Sequence, residues 1–312
     1  MPDLSAFLST QTAICPPSLL AQAKAGKPAR VAIAAAGAAL PMEAAKEATD
    51  AGIMTPVFTG NAADIRAEAD RLGWDIAAYP IVEAEGEAES GAAAAHLCGE
   101  GQADVLMKGH LHSDAFMKAA LSRDAGLRTG NRLVHIFHIS PPDGGPGVLI
   151  SDAAVNVAPD LRTRKTAVDE CIKLLGLLGN ATPRIAILSA TESAIPSVPS
   201  SIEAAELRDM ARADHPGAMI SGPLAFDGII SAEAGAIKGM QDDPVVGQAD
   251  AIIVPDIVSG NAVFKALVYL SGGCAAGVVT GAKVPILLTS RADPPAARLA
   301  SVALAAIINA GR

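Results

Sequence analysis

Aromatic side chains are scarce in this 312-residue chain, which has one Trp, two Tyr and six Phe. A core without large rings must be built from closely packed alanine and small aliphatics, and half of the residues are apolar. Basic residues are also in deficit. Against 33 Asp and Glu there are 24 Lys and Arg, a formal net charge of −9 with a pI near 5.1. That balance argues against nucleic acid or an anionic membrane as partner, since each requires a basic face. An anionic metabolite in a local positive pocket stays open. The four cysteines, Cys15, Cys98, Cys171 and Cys274, are far apart and show no CxxC spacing. Neither a disulfide framework nor a zinc site is indicated, and all four read as buried thiols.

Targeting signals and standard catalytic signatures are missing too. The opening MPDLSAFLSTQTAICPPS carries Asp3 and no basic region ahead of an apolar core, so it does not read as a signal peptide. The apolar stretch 299–310 is too short to cross a bilayer, and a cytoplasmic protein is expected. No GxSxG elbow, HExxH, P-loop or EF-hand spacing occurs. AAAGAALP after the first strand is not a GxGxxG fingerprint, so a dinucleotide cofactor has little support.

What is present is an alternation of strands and helices. Strands are expected at 31–36, 56–59, 105–107, 185–189, 250–255, 276–279 and 286–289, and helices at 42–51, 62–72, 88–100, 114–122, 159–178, 232–239, 262–270 and 295–308. Ser200 or Ser201 is the expected cap of a further helix through Ala213. PPDGGPG at 141–147 separates two apolar runs, 135–139 and 148–150, and marks either a hairpin or a domain crossing. The length favours two domains over one. The expectation is an α/β protein with mostly parallel sheets, one domain of residues 1–140 plus 286–312 and a second of 141–285.

Two strings stand out. IIVPDIVSGNAVFK at 252–265 and GAKVPILLTSR at 281–291 each stop an apolar run abruptly at small and polar residues, as the rim of an α/β cleft does. One rim offers Asp256, Ser259, Asn261 and Lys265, and the other Lys283, Thr289, Ser290 and Arg291. Cations, hydroxyls and an amide converging on one ligand suggest a phosphate-bearing substrate. Arg128 and Arg132 in GLRTGNR are phosphate ligands or belong to a solvated turn. His110 and His112 are metal ligands on a strand face or residues of a loop after the strand, and the loop is the commoner case. Glu192, beyond a strand end, is an acid or base, or a helix N-terminal carboxylate. Ser290 and Arg291 are functional or form a turn with Asp293 as an N-cap.

Five separated blocks, in order, then resemble one family: ADVLMKGHLHSDAFMKAAL, SDAAVNVAPDL, SGPLAFDGIIS with AIKG, ADAIIVPDIVSGNAVFKALVY and GAKVPILLTSRAD. Residues 103–298 look like the phosphate acetyltransferase and phosphate butyryltransferase family. The resemblance implies a two-domain architecture similar to isocitrate and isopropylmalate dehydrogenases, with the site in an interdomain cleft. It also implies a reversible reaction, acyl-CoA plus phosphate giving acyl phosphate and CoA. CoA and acyl-CoA are then substrates, and no metal or redox cofactor is implied. A homo-oligomer and a functional link to an enoyl-CoA hydratase or an acyl kinase are further expectations.

Ser290 and Arg291 match the family's serine-arginine pair, and Lys108 and His110 in the first block join the substrate-binding candidates. The acetyl enzymes carry an aspartate seven residues after the serine, where this chain has Ala297. Asp293 or Glu192 is left to supply the base. SRAD and SATESAIPSVPSSIEAAEL at 189–207 are closer to the butyryl branch. Two other classes are carried beside the enzyme: a non-catalytic acyl-CoA-sensing module, and a metal- and NAD-dependent dehydrogenase of the same fold.

Overall fold

The computed structural model describes residues 4–290 and 292–312. The chain forms two compact units, one of Ile14–Asn131 with Ala276–Arg312 and one of Arg132–Ala275 with the residues up to Ala13.

In the first unit, α1 (Pro17–Ala25) begins on a proline, whose missing N–H is one that no helix start can pair. β1 (Ala29–Ala34), α2 (Ala39–Asp50) and β2 (Met54–Gly60) make a βαβ unit in which Val31 lies opposite Pro56 and Ile33 opposite Phe58. α3 (Ala62–Arg71) starts at Asn61, whose side chain accepts from the N–H groups of Ala63 and Asp64. β3 (Ile81–Glu83), α4 (Gly86–Gly99), β4 (Val105–Lys108) and α5 (Ser113–Ala120) follow. Every residue of β4 is buried, and β1 is buried except at Arg30, as a strand covered on both faces requires.

The second unit opens on the antiparallel hairpin of β5 (Val134–Ser140) and β6 (Val148–Ser151), so the PPDGGPG segment is a hairpin turn. Then come α6 (Leu161–Leu177), β7 (Arg184–Leu188), α7 (Pro199–Asp214), β8 (Met219–Leu224), α8 (Phe226–Ile230), α9 (Ala232–Ile237), β9 (Ala251–Ile253) and α10 (Ile257–Tyr269). Its strands run β5-β6-β9-β7-β8, all neighbours after the hairpin being parallel. The chain re-enters the first unit along β10 (Cys274–Thr280), then forms β11 (Ile286–Leu287) and α11 (Pro295–Ala310). There the order is β3-β2-β1-β4-β11-β10, parallel except between β10 and β11.

The apolar stretch at 299–310 lies in a core helix. Eleven residues of α11 are buried, so it is apolar nearly all round. No helix among the described residues is long and apolar enough to cross a membrane.

Three expectations are corrected, and one strand is added. α7 starts at Pro199 after Val198, and Ser201 lies inside it with a buried hydroxyl donating to the Val198 carbonyl at 2.7 Å. The expected strand 286–289 is only two residues long, because Thr289 and Ser290 leave the ladder. β8 has no counterpart among the expected strands; it holds Pro223 at the sheet edge, where proline costs no ladder bond. Cys98, Cys171 and Cys274 are buried, whereas Cys15 is only half-buried.

Candidate active site

The carboxyl ends of β1 and β4 and the segment after β11 surround a cavity of about 220 Å³ in the first unit. Open α/β sheets bind ligands at this end of their strands. The start of α2, from Ala38 to Pro41, forms one wall, and Met107 to His110 form another. Thr289, Ser290 and Arg298 complete it.

Local backbone geometry fixes this shape. At the end of β1, Ala35 has φ +54°, a left-handed conformation that an L residue holds only when its surroundings impose it. Its carbonyl accepts from the His110 N–H at 2.9 Å, and the Ala34 carbonyl accepts from the Gly109 N–H at 2.9 Å. Gly109 has to be glycine here, because a Cβ would overlap the carbonyl oxygens of both Ala34 and Ala35. The Thr289 hydroxyl donates to the Lys108 carbonyl at 2.9 Å, tying the segment after β11 to the end of β4.

Beyond Thr289 the chain closes a turn. The Ser290 N–H donates to Asp293 Oδ2 at 2.7 Å, and the Ala292 N–H donates to the Ser290 hydroxyl oxygen at 3.2 Å. Arg298, buried on α11, donates from Nη1 to the Asp293 carbonyl at 2.6 Å. Burial pushes the Asp293 carboxyl above its ordinary pKa, partly opposed by the Ser290 N–H and by the charges of Arg298 and Lys108. A carboxylate with a raised pKa beside an exposed serine hydroxyl is a pair of a proton acceptor and a hydrogen-bond donor.

The other candidates divide by place. Lys108 is buried and His110 exposed, and both line the cavity with Ser290. Lys283 does not join them. Its Nζ donates to the Gly99 carbonyl at 2.5 Å, and Arg128 pairs with Ala282 in an isolated bridge. Gly99 ends α4, and Lys283 precedes β11, which runs parallel to β4, so both cations lie at the end of the strands opposite Ser290. Arg291 lies outside the described residues.

In the second unit, Asp256 is the N-cap of α10, its Oδ1 accepting from the Ser259 N–H at 2.9 Å. Asn261 donates to the Ala153 carbonyl at 3.4 Å, Lys265 is exposed, and Arg132 pairs with Asp160 at 3.5 Å. Glu192 is held by Lys238 at 2.6 Å. His112 Nδ1 meets Glu87 at 2.8 Å, and no group of three potential metal ligands occurs among the described residues.

Sequence reasoning missed Arg298. The signal was there: it is the lone charged residue in the sixteen of α11, a helix apolar nearly all round.

A family model described as "Phosphate acetyl/butaryl transferase" matches residues 88–306. The chain belongs to the phosphate acetyl/butyryl transferase family. Within it, a phosphate acetyltransferase of Rhizobium meliloti is 41% identical over 295 residues, covering 94% of this chain and 93% of the relative. A phosphate butyryltransferase of Clostridium acetobutylicum is 31% identical over 291 residues, covering 93% and 96%. Among solved structures, a branched-chain phosphotransacylase from Enterococcus faecalis aligns with a TM-score of 0.78 at 28% identity, over 90% of this chain and 99% of that one. A 4-hydroxythreonine-4-phosphate dehydrogenase from Klebsiella pneumoniae, at TM-score 0.58 and 12% identity over 90% and 99%, shares the fold alone. The dehydrogenase-like architecture expected from the sequence is therefore present. Relatives named for acetyl transfer are 34–41% identical and those named for butyryl transfer 31–38%, overlapping ranges that do not divide the acetyl from the butyryl branch.

Proposed function

We propose that this protein is a phosphate acyltransferase converting acyl-CoA and inorganic phosphate to acyl phosphate and CoA, reversibly. The observation that carries the reading is the Ser290–Asp293 turn, which stands at the cavity of a chain matched by the family model across residues 88–306.

Within that reaction we assign the following roles. The Ser290 hydroxyl is the donor for the negative charge that develops on the transferring carbonyl oxygen, a contact worth most in a site from which water is excluded. Asp293 is the base that takes the CoA thiol proton when CoA attacks acyl phosphate, and returns it to the departing thiolate in the other direction. Of the two carboxylates considered for that step, Asp293 is favoured because Glu192 is engaged by Lys238. Arg291 follows Ser290 directly in sequence and is assigned the phosphate. Leu40, Ala44 and Met107 give the cavity an apolar wall suited to acyl carbons, and we assign acyl groups longer than acetyl as substrates alongside it.

The test is CoA release from acetyl-, propionyl- and butyryl-CoA, with and without phosphate, followed with a thiol reagent. Phosphate-dependent release supports the transferase and ranks the acyl chains. Binding of acyl-CoA without release in any condition overturns it in favour of a sensing module.

A further inference from the structure

α2 enters the cavity wall without a side-chain cap. Its N-cap is Ala38, whose side chain has nothing to offer the helix. The first intrahelical bond runs from the Met42 N–H to the Ala38 carbonyl, so the N–H groups of Ala39 and Leu40 precede the ladder and stand at the positive end of a twelve-residue helix. Small residues in AAAGAALP let another group approach this backbone closely.

A second observation comes from a different element. Arg298 is 7% exposed and lines the same cavity. Among the described residues its one hydrogen bond goes from Nη1 to a backbone carbonyl, its buried Nε has no partner, and no carboxylate lies within ion-pair distance, Asp293 acting on its charge only from farther away. A guanidinium removed from water and left partly unpaired is costly, and a buried cation is ordinarily matched by an anion. The sequence keeps this charge on a helix that is otherwise apolar, where methionine or leucine would fill the same volume.

From these two features we infer that the α2 N-terminus and Arg298 together form an oxyanion site, and that its ligand is the phosphoryl group: inorganic phosphate in one direction, the phosphate of acyl phosphate in the other. The assignment rests on the transferase reading for the identity of the anion. A planar fork and two backbone donors suit a tetrahedral anion with several acceptor oxygens. With Ser290 on the same cavity, the bound phosphate stands beside the group that polarises the acyl carbonyl. Attack by a phosphate oxygen on that carbonyl forms the C–O bond, breaks the C–S bond and releases CoA as thiolate, which takes up a proton.

Two variants test this. Arg298→Met removes the charge while keeping most of the volume. Ala39→Pro deletes one amide donor at the first helical position, where proline is well tolerated and where Ala38 already has the extended backbone (φ −148°, ψ 160°) that precedes proline. Thermal unfolding checks that each folds, and should Arg298→Met fail, Ala39→Pro carries the test. The KM for phosphate should rise about 10- to 100-fold in Arg298→Met and about tenfold in Ala39→Pro, with the KM for butyryl-CoA within about threefold of the parent, as loss of donors to a charged ligand requires. Calorimetric titration of the free protein with inorganic phosphate should weaken in parallel. An unchanged phosphate KM with a raised butyryl-CoA KM overturns the site. So does a parent preference for succinyl-CoA that Arg298→Met abolishes, which would place an acyl carboxylate there. Phosphate binding that both variants weaken, in a parent protein showing no phosphate-dependent release, would defeat the transferase reading and leave the oxyanion site standing.

Discussion

The backbone N–H of Ser290 donates to Asp293 Oδ2 at 2.7 Å, and the Asp293 N–H returns a bond to the Ser290 carbonyl at 3.2 Å. The serine is thus held by the carboxylate three residues on, through the backbone, and its hydroxyl is left at the cavity. Ser290→Ala keeps both of these backbone bonds and deletes the hydroxyl, together with the bond that the hydroxyl accepts from the Ala292 N–H. Turnover should fall roughly 10- to 1000-fold, the range for one lost transition-state donor, with little change in thermal stability. Steady-state rates at saturating acyl-CoA and phosphate decide it, and unchanged turnover removes Ser290 from the mechanism.

With CoA and acyl phosphate as substrates, the direction in which Asp293 must be ionised to take the thiol proton, Asp293 should set the acidic limb of the pH–rate profile. Burial raises its folded pKa above that of the unfolded chain, so the limb lies above the ordinary carboxylate range. In the folded state the group holds its proton to higher pH than in the unfolded state, so its ionisation lowers stability as pH rises from the unfolded value through the folded one. Asp293→Asn should therefore lose the acidic limb and much of the turnover while unfolding at pH 7 no earlier than the parent. A limb that survives in Asp293→Asn and disappears in Glu192→Gln would reassign the base.

The βαβ pattern, the hairpin and most helix positions were legible because apolar period and turn residues are local properties of sequence. Element starts were less so. Ser201 has the chemistry of a cap, but its hydroxyl serves carbonyls of the preceding turn, Ile195 and Val198, from inside the helix. The site was half legible. Ser290 and Asp293 adjoin a strand end, and that much is linear information. Lys283 and Ser290 are seven residues apart with a two-residue strand between them, so they sit at opposite strand ends, which no spacing rule reveals. Arg298 and Ala39 come from distant elements and meet only through the fold.

That division makes an unfavourable prediction for two of the cations picked from sequence. Lys283→Ala and Arg128→Ala remove groups near the Gly99 carbonyl and Ala282, at the far end of the strands from Ser290. Both should keep turnover and both KM values within about twofold, as exposed substitutions away from a site do. A tenfold rise in the phosphate KM in either would require those cations at the substrate.

Gly109 is the close-packed point between the ends of β1 and β4. Gly109→Ala would drive a methyl into the Ala34 and Ala35 carbonyl oxygens, which are backbone and cannot rotate aside. The strands must separate where Lys108 and His110 meet the cavity. Stability should fall by about 1–3 kcal/mol, the usual cost of overpacking, and turnover should fall further than the stability loss explains. Urea unfolding together with turnover on the folded fraction tests this, and a variant with parental rates would show that the site does not depend on this junction.

Acid should destabilise the second unit through His135. The ring is fully buried on β5, 4.2 Å from the Phe137 ring, and its Nδ1 has no partner. The charged group facing it is Asp152, whose Oδ2 accepts from the His135 backbone N–H at 3.0 Å and from Asn156 at 2.6 Å. Desolvation wins over that carboxylate and pulls the imidazole down to about 4 from 6.5. With the folded pKa below the unfolded one, the unfolded chain binds the extra proton first. Stability is complete above pH 6.5 and is lost as pH falls towards 4, by roughly 3 kcal/mol at the limit. Urea midpoints measured between pH 7 and pH 5, before most carboxylates titrate, should fall steeply in the parent. In His135→Gln they should start lower, since a buried amide replaces a ring packed at a tilt against Phe137, yet vary less with pH. Parallel slopes in the two proteins would mean that the acid sensitivity originates elsewhere.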